Sequence, residues 1–236
     1  MPTVGLIGGI APESTIDYYR RIVALYRERR GNGDYPTIII NSINLNTMLR
    51  YVTAHQLREL TAYLLNEVAR LGRAGADYGL LASNTPHIVF DDLSRQSPIP
   101  LISIVEATGA EASAQGFRTV GLLGTRFTME GGFYSSVLAR SGIEVVTPAS
   151  AEREYVHDTY MGELVRAQFR PEMRARFTSL IQAMRARDAI DAVILGGTEL
   201  PLLLRDAPDL PCPVLDTTAI HVQAVVDRLL ELEGAA

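Results

Sequence analysis

Leu81-Ala82-Ser83-Asn84-Thr85 and Leu195-Gly196-Gly197-Thr198-Glu199 each close an apolar run and lead into a small polar turn. From Ser83 to Gly197 the separation is 114 residues, and the chain around one turn copies the chain around the other. Val4-Gly5-Leu6-Ile7-Gly8-Gly9 returns as Val120-Gly121-Leu122-Leu123-Gly124-Thr125. Gly75-Ala76-Asp77-Tyr78-Gly79-Leu80-Leu81 parallels Ala189-Ile190-Asp191-Ala192-Val193-Ile194-Leu195, and Pro100-Leu101-Ile102 parallels Pro213-Val214-Leu215. The three matches fall in the same order, at offsets of 116 (4 to 120), 114 (77 to 191) and 113 (100 to 213) residues. Chance supplies one such match easily. Three in register mark an internal duplication.

The segments between the matches have helical period. From Pro12 to Arg30 the apolar positions Ile16, Tyr19, Val23 and Tyr26 recur on one face, with proline in the first turn and Gly31 at the stop. Leu57, Leu60, Leu64, Val68 and Leu71 do the same before Gly72, as do Met173, Phe177, Leu180 and Met184 after Pro171. Thr37-Ile38-Ile39-Ile40 and Ala192-Val193-Ile194-Leu195 are continuously apolar, the mark of strands covered on both faces of a parallel sheet. The expected fold is therefore α/β: two pseudo-symmetric lobes, each a parallel sheet sandwiched by helices, with the ligand cleft between them. Residues 1–98 with 209–236 are expected to form one lobe and 99–208 the other. Sheets of this kind bind ligands beyond the carboxyl ends of their strands, which is where these turns fall.

The 236 residues suffice to bury a sizeable core, and 47% hydrophobic with 21% charged residues is an ordinary globular balance. A net charge of −5 without a basic stripe argues against a nucleic-acid partner. No apolar stretch approaches the roughly 20 residues of a membrane span. The start, Met1-Pro2-Thr3-Val4, enters a strand at once without a basic leader region, so cytoplasmic residence is expected. One cysteine makes neither an internal disulfide nor a cysteine zinc site, and no His/Asp/Glu spacing supports a metal.

Gly8-Gly9-Ile10-Ala11-Pro12 is a glycine-rich turn opening a helix, whose backbone N–H groups and dipole suit an anion. It is neither a dinucleotide fingerprint nor a phosphate loop, and a plain tight turn would read the same way. Its counterpart, Gly124-Thr125-Arg126-Phe127-Thr128, adds two hydroxyls. Ser83-Asn84-Thr85 and Thr198-Glu199 add hydroxyls, an amide and a carboxylate. Taken singly, each such turn is a helix cap. Four of them paired by a duplication suit a small carboxylate ligand.

These residues carry a more specific likeness. Gly8-Gly9 with Glu13-Ser14-Thr15 and Tyr18-Tyr19, Ser83-Asn84-Thr85 with His87, and Gly124-Thr125 with Thr128-Met129 and Phe133-Tyr134 look like motifs of one family. So do Gly196 with Thr198-Glu199, and Asp216-Thr217-Thr218 with His221. Over nearly its whole length the chain resembles the cofactor-independent aspartate/glutamate racemases. The resemblance implies two α/β lobes, no cofactor, no metal, a homodimer, and a C-terminal helix packed on the first lobe. It places Ser83 and Gly197 where that family usually presents two acid/base cysteines. It places Gly9, Asn84, Thr85, Thr125, Thr128 and Thr198 around a small carboxylate substrate, with Arg50 and Arg166 as the cations that hold it.

Both thiols are absent. Racemisation without a cofactor requires one group to remove the α-proton and another to deliver one to the opposite face. A thiol with a reference pKa of about 8.5 suits that work near neutrality, whereas a serine hydroxyl needs an adjacent base and glycine has no side chain. Glu199 and His87 are the remaining proton-handling candidates. Each also has a plainer reading: His87 lies one turn after Ser83 and can be satisfied within its own helix start, as can His221 after Asp216-Thr217-Thr218. Cys212, between two prolines, reads as a packed, inert thiol, and His55 and His157 carry no motif. Three functions stay open: a racemase-family enzyme acting at the carbon beside a carboxylate, a lyase or decarboxylase on the same scaffold, and a non-catalytic carboxylate binder.

Overall fold

The duplication is visible in the strand order. In the computed structural model, which describes residues 1–204 and 210–234, two parallel four-stranded sheets share one topology. The first half runs β1 (Thr3–Gly8), α1 (Pro12–Arg30), β2 (Thr37–Ser42), α2 (Leu45–Thr53), α3 (Leu57–Arg73), β3 (Tyr78–Leu81), α4 (Phe90–Gln96), β4 (Leu101–Ile102) and α5 (Ile104–Ala114). The second runs β5 (Thr119–Gly124), α6 (Arg126–Glu130), α7 (Phe133–Leu138), β6 (Glu144–Val146), α8 (Ser150–Gly162), α9 (Pro171–Asp188), β7 (Ala192–Gly196), α10 (Leu200–Leu204), β8 (Val214–Asp216) and α11 (Thr217–Gly234). The sheets are ordered β2-β1-β3-β4 and β6-β5-β7-β8, with every pairing parallel.

The repeated residues do the same work twice. The Asp77 carboxylate accepts from the Thr3 N–H at 2.7 Å; the Asp191 carboxylate accepts from Arg118 and Thr119 N–H at 2.7 and 3.0 Å. Each aspartate thereby fixes the start of the central strand beside it, and those N–H donors hold Asp191 below the usual carboxylate range. Gly5 and Gly121 also match. A Cβ on Gly5 would lie 2.9 Å from Ala76 Cβ, and one on Gly121 would lie 3.0 Å from Met184 Cε and Ile190 Cδ1. Glycine at these points lets the chain packed over each central strand approach closely.

The chain divides into two compact units, Met1–Ile104 with His221–Ala236, and Val105–Ile220. The junctions lie later than expected because β4 pairs into the first sheet and β8 into the second. A boundary at 98/99 would remove β4 from its sheet, and the boundary at 208/209 lies outside the described residues. In the first unit Val222, Val225, Val226 and Leu229 of α11 pack with Val4, Leu6, Tyr18 and Leu80. In the second, Phe177, Ile181 and Met184 of α9 pack with Val193 and Leu195 of β7 and Val156 and Tyr160 of α8.

Three local expectations require correction. The buried face of α1 is Ser14, Tyr18, Ile22 and Tyr26, whereas Ile16 and Tyr19 are 43% and 48% exposed. The competing stripe one position along satisfies the same period and includes the core tyrosines. β2 is an edge strand and is covered on neither side as a central strand would be, with Ile40 41% exposed. Gly72 lies inside α3, which runs on to Arg73. Among the described residues no helix is long and apolar enough to cross a membrane.

Candidate active site

The turns singled out from the sequence all follow the carboxyl ends of strands. In the first unit β1 leads into Gly9, whose φ of +81° belongs to the left-handed region. Its N–H donates to Thr15 Oγ1 at 2.8 Å, so the anion-binding role expected of that group is already occupied from within the turn. Ser14 of α1 donates to the Ala82 carbonyl at 2.6 Å and ties this turn to the one after β3.

That second turn carries Ser83, partly exposed, between buried Ala82 and buried Asn84 and Thr85. Among the described residues the Ser83 hydroxyl has no hydrogen-bond partner. His87 does not supply its base. The His87 ring is 2% exposed, its Nδ1 lies 2.9 Å from the Ser83 carbonyl oxygen, and its Nε2 accepts from the Ile104 N–H at 3.3 Å. Both nitrogens are therefore held by backbone, in the tautomer with the proton on Nδ1. These bonds are those of the plainer of the two readings of His87, a histidine satisfied within its own helix start.

His221 is built in the same way. Tyr18 Oη donates to His221 Nδ1 at 2.9 Å, and His221 Nε2 donates to the Ile102 carbonyl at 3.0 Å. The two imidazoles stand edge to face, 6.3 Å between centroids. Burial, joined by the neighbouring His221, pushes His87 down to about 3, and burial pushes His221 down to about 4. Both rings are neutral in the folded chain at neutral pH. The unfolded chain, titrating near 6.5, binds the extra protons, so their contribution is fully present above about pH 6.5 and is lost as pH falls towards 4 and 3. Two such groups should remove about 2–3 kcal/mol of unfolding free energy between pH 7.5 and 5.5. Urea titration at those two pH values is the check; a loss under about 0.5 kcal/mol would contradict neutral, buried rings.

The second unit presents the matching turns. Thr125 caps α6, its hydroxyl accepting from the Thr128 N–H at 3.3 Å and lying 3.1 Å from the Thr128 hydroxyl. After β7 come Gly197, Thr198 and Glu199, all buried. The Glu199 carboxylate accepts from Thr198 Oγ1 at 2.8 Å and from the hydroxyl of Tyr160, on α8. Tyr160 also fills the place a side chain at 197 would take. A Cβ built on Gly197 would overlap Tyr160 Cε2 and lie 2.6 Å from its hydroxyl oxygen and 2.8 Å from Cζ. Burial, then the charge and hydrogen bond of Glu199, push the Tyr160 hydroxyl well above its ordinary pKa.

Arg166, in a 3-10 turn at Leu164–Arg166, and Arg50, on α2, are exposed, and no ion pair holds either among the described residues. Arg50 lines an open hollow of about 420 Å³ with Asn46, Leu49, Thr53 and Ala54. Cys212 is 8% exposed within the second core, and burial pushes its thiol up. Among the described residues no cluster of three or more His, Cys, Asp or Glu side chains is placed to hold a metal. Sequence reasoning missed Tyr160. It lies 37 residues before Gly197, on a different element, and no motif spacing joins the two.

Duplicated four-stranded parallel units carry polar turns at matching strand ends. The model of the Asp/Glu/Hydantoin racemase family matches residues 7–225, and the chain belongs to that family. It is 23% identical to the broad specificity amino-acid racemase RacX of Bacillus subtilis (strain 168), over 98% of this chain and the whole of that one. It is 36% identical to a candidate Asp/Glu racemase from Yersinia pestis, with a TM-score of 0.88 over 98% of this chain and 100% of that structure. It is likewise 36% identical to an aspartate racemase homologue from Pyrococcus horikoshii OT3, with a TM-score of 0.83 over 97% of this chain and 99% of the other.

Proposed function

We propose that this protein is a cofactor-independent enzyme acting at the carbon beside the carboxylate of a small amino acid, with proton transfer from one side only. The observation that carries this reading is the asymmetry of the two strand-end turns. Beyond β7 a buried hydroxyl and carboxylate, Tyr160 and Glu199, stand together where position 197 has no side chain. Beyond β3 the Ser83 hydroxyl has no hydrogen-bonded base among the described residues, and both ring nitrogens of His87 are held by backbone. Two-sided racemisation needs a competent group on each face of the carbon, so Ser83 leaves one face poorly served. Substrate scope follows the relatives' names: acidic amino acids from the Yersinia pestis protein, and a wider range from the Bacillus subtilis enzyme.

In this reading Gly9, Asn84 and Thr85 of the first unit and Thr125, Thr128 and Thr198 of the second are substrate-binding residues, and Arg50 and Arg166 hold the carboxylate. Arg166→Ala is expected to weaken aspartate or glutamate binding about tenfold or more, since a charge-assisted hydrogen bond contributes about 1.5–3 kcal/mol. Calorimetric titration reads this directly, and unchanged affinity would remove Arg166 from the site.

The function itself is tested by incubating the protein with L- and D-amino acids in D2O and following loss of the α-proton signal. Exchange of at least one amino acid, without carbon dioxide or ammonia release, is the expected result. Release of either gas would replace the reading with a lyase, and no exchange and no release with any amino acid would leave only a binder.

A further inference from the structure

Tyr160 and Glu199 belong to no motif shared by the two halves as a pair, yet they form a buried hydroxyl–carboxylate contact in the second unit. Both are buried, 6% and 3% exposed, and the tyrosine hydroxyl donates to Glu199 Oε2 while Thr198 Oγ1 donates to the same oxygen. A buried carboxylate is costly unless hydrogen bonds compensate it, and two hydroxyl donors on one oxygen are that compensation. The ring edge bearing the hydroxyl also lies where a side chain at 197 would project, with Oη 2.6 Å and Cζ 2.8 Å from the ideal Cβ position. A packing plug would need only the ring. Here the ring brings an ionisable partner with it.

We infer that Tyr160 is the catalytic proton-transfer residue of this turn and that Glu199 stores its proton, the two together replacing the side chain absent at 197. The inference rests on the α-carbon chemistry proposed above. In the forward step the Cα–H bond breaks and its proton goes to Tyr160 Oη as the tyrosine's own proton passes to Glu199 Oε2. The substrate is left as the carbanion, its electron pair on the α-carbon, with tyrosine neutral and Glu199 protonated. The reverse step returns the proton to carbon and restores the Glu199 carboxylate. Atoms and charge balance, and no free tyrosinate forms. That last point agrees with the direction in which burial and the Glu199 charge push the hydroxyl.

The test uses the full chain and the amino acid that exchanges fastest in D2O. Tyr160→Phe keeps the ring and leaves Thr198 Oγ1 as a donor to Glu199, so it should lower the melting temperature by the cost of one buried hydrogen bond. The α-proton exchange should fall at least about 100-fold, the scale of a lost acid/base group. Glu199→Gln should lower exchange about as far as Tyr160→Phe does and alter its dependence on pH, whereas loss of a merely structural carboxylate would leave that dependence as it is in the wild type. Should Tyr160→Phe not fold, the Glu199→Gln pH profile decides alone. Wild-type exchange that survives Tyr160→Phe within threefold, or a pH profile unchanged in Glu199→Gln, overturns this inference and leaves the proposed function standing. No exchange by the wild-type chain with any amino acid overturns both.

Discussion

Replacing Ser83 and Gly197 by cysteine and Tyr160 by leucine in one chain is expected to raise racemisation of aspartate and glutamate at least about 100-fold over the unmodified protein. Each cysteine supplies a thiol whose pKa permits proton removal near neutrality. The leucine matters as much as the thiols. Its branch stops short of the Cε2, Cζ and Oη atoms that a residue at 197 would meet, while filling the inner part of the tyrosine's place in the core. The double variant Ser83→Cys with Gly197→Cys keeps the tyrosine tip in the way. It should gain little activity and lose about 1–3 kcal/mol of stability, the usual cost of overpacking. Chiral chromatography of both amino acids and thermal melts of both variants separate the cases. A double variant as active as the triple one would show that Tyr160 yields freely.

Gly9→Ala is expected to be the most damaging single methyl in the first unit. The residue holds φ at +81°, and a Cβ there would overlap the Ile43 carbonyl oxygen and lie 2.8 Å from Ser42 Oγ. Left-handed strain costs of order 1–3 kcal/mol, and displacing buried backbone adds about as much again. The change should therefore remove about 3–5 kcal/mol, a large part of the stability of an ordinary domain. Urea unfolding is the measurement; a loss under about 1 kcal/mol would mean that the turn rearranges at little cost.

Much of this was legible in the sequence because it recurs. Asp77 and Asp191 tie down equivalent strands, and the repeat of Val-Gly-Leu reports a central strand with a close-packed neighbour in each half. Such pairs announce both the parallel order and the strand-end turns. The boundaries were less legible because β4 and β8 are 2 and 3 residues long and carry no signal of which sheet they join. The face of α1 was misjudged since Ile16-Tyr19-Val23 and Tyr18-Ile22-Tyr26 obey one period, and only tertiary packing chooses between them. His87 showed its position but not its bonds; the Ile104 N–H that occupies Nε2 comes from 17 residues away. Tyr160 was beyond reach for a simpler reason. An absent side chain tells that space is free or filled, and the chain alone does not say by which residue.

Whether Tyr160 takes the place of the side chain at 197 is tested without any need for substrate by a thermodynamic cycle on stability. Gly197→Ala is measured by urea unfolding in the wild-type chain and again in Tyr160→Leu, each against its own parent. The added methyl should destabilise the wild type by about 1–3 kcal/mol and cost less than about 0.5 kcal/mol in the leucine background. Equal losses in both backgrounds would show that the tyrosine tip does not hold that space.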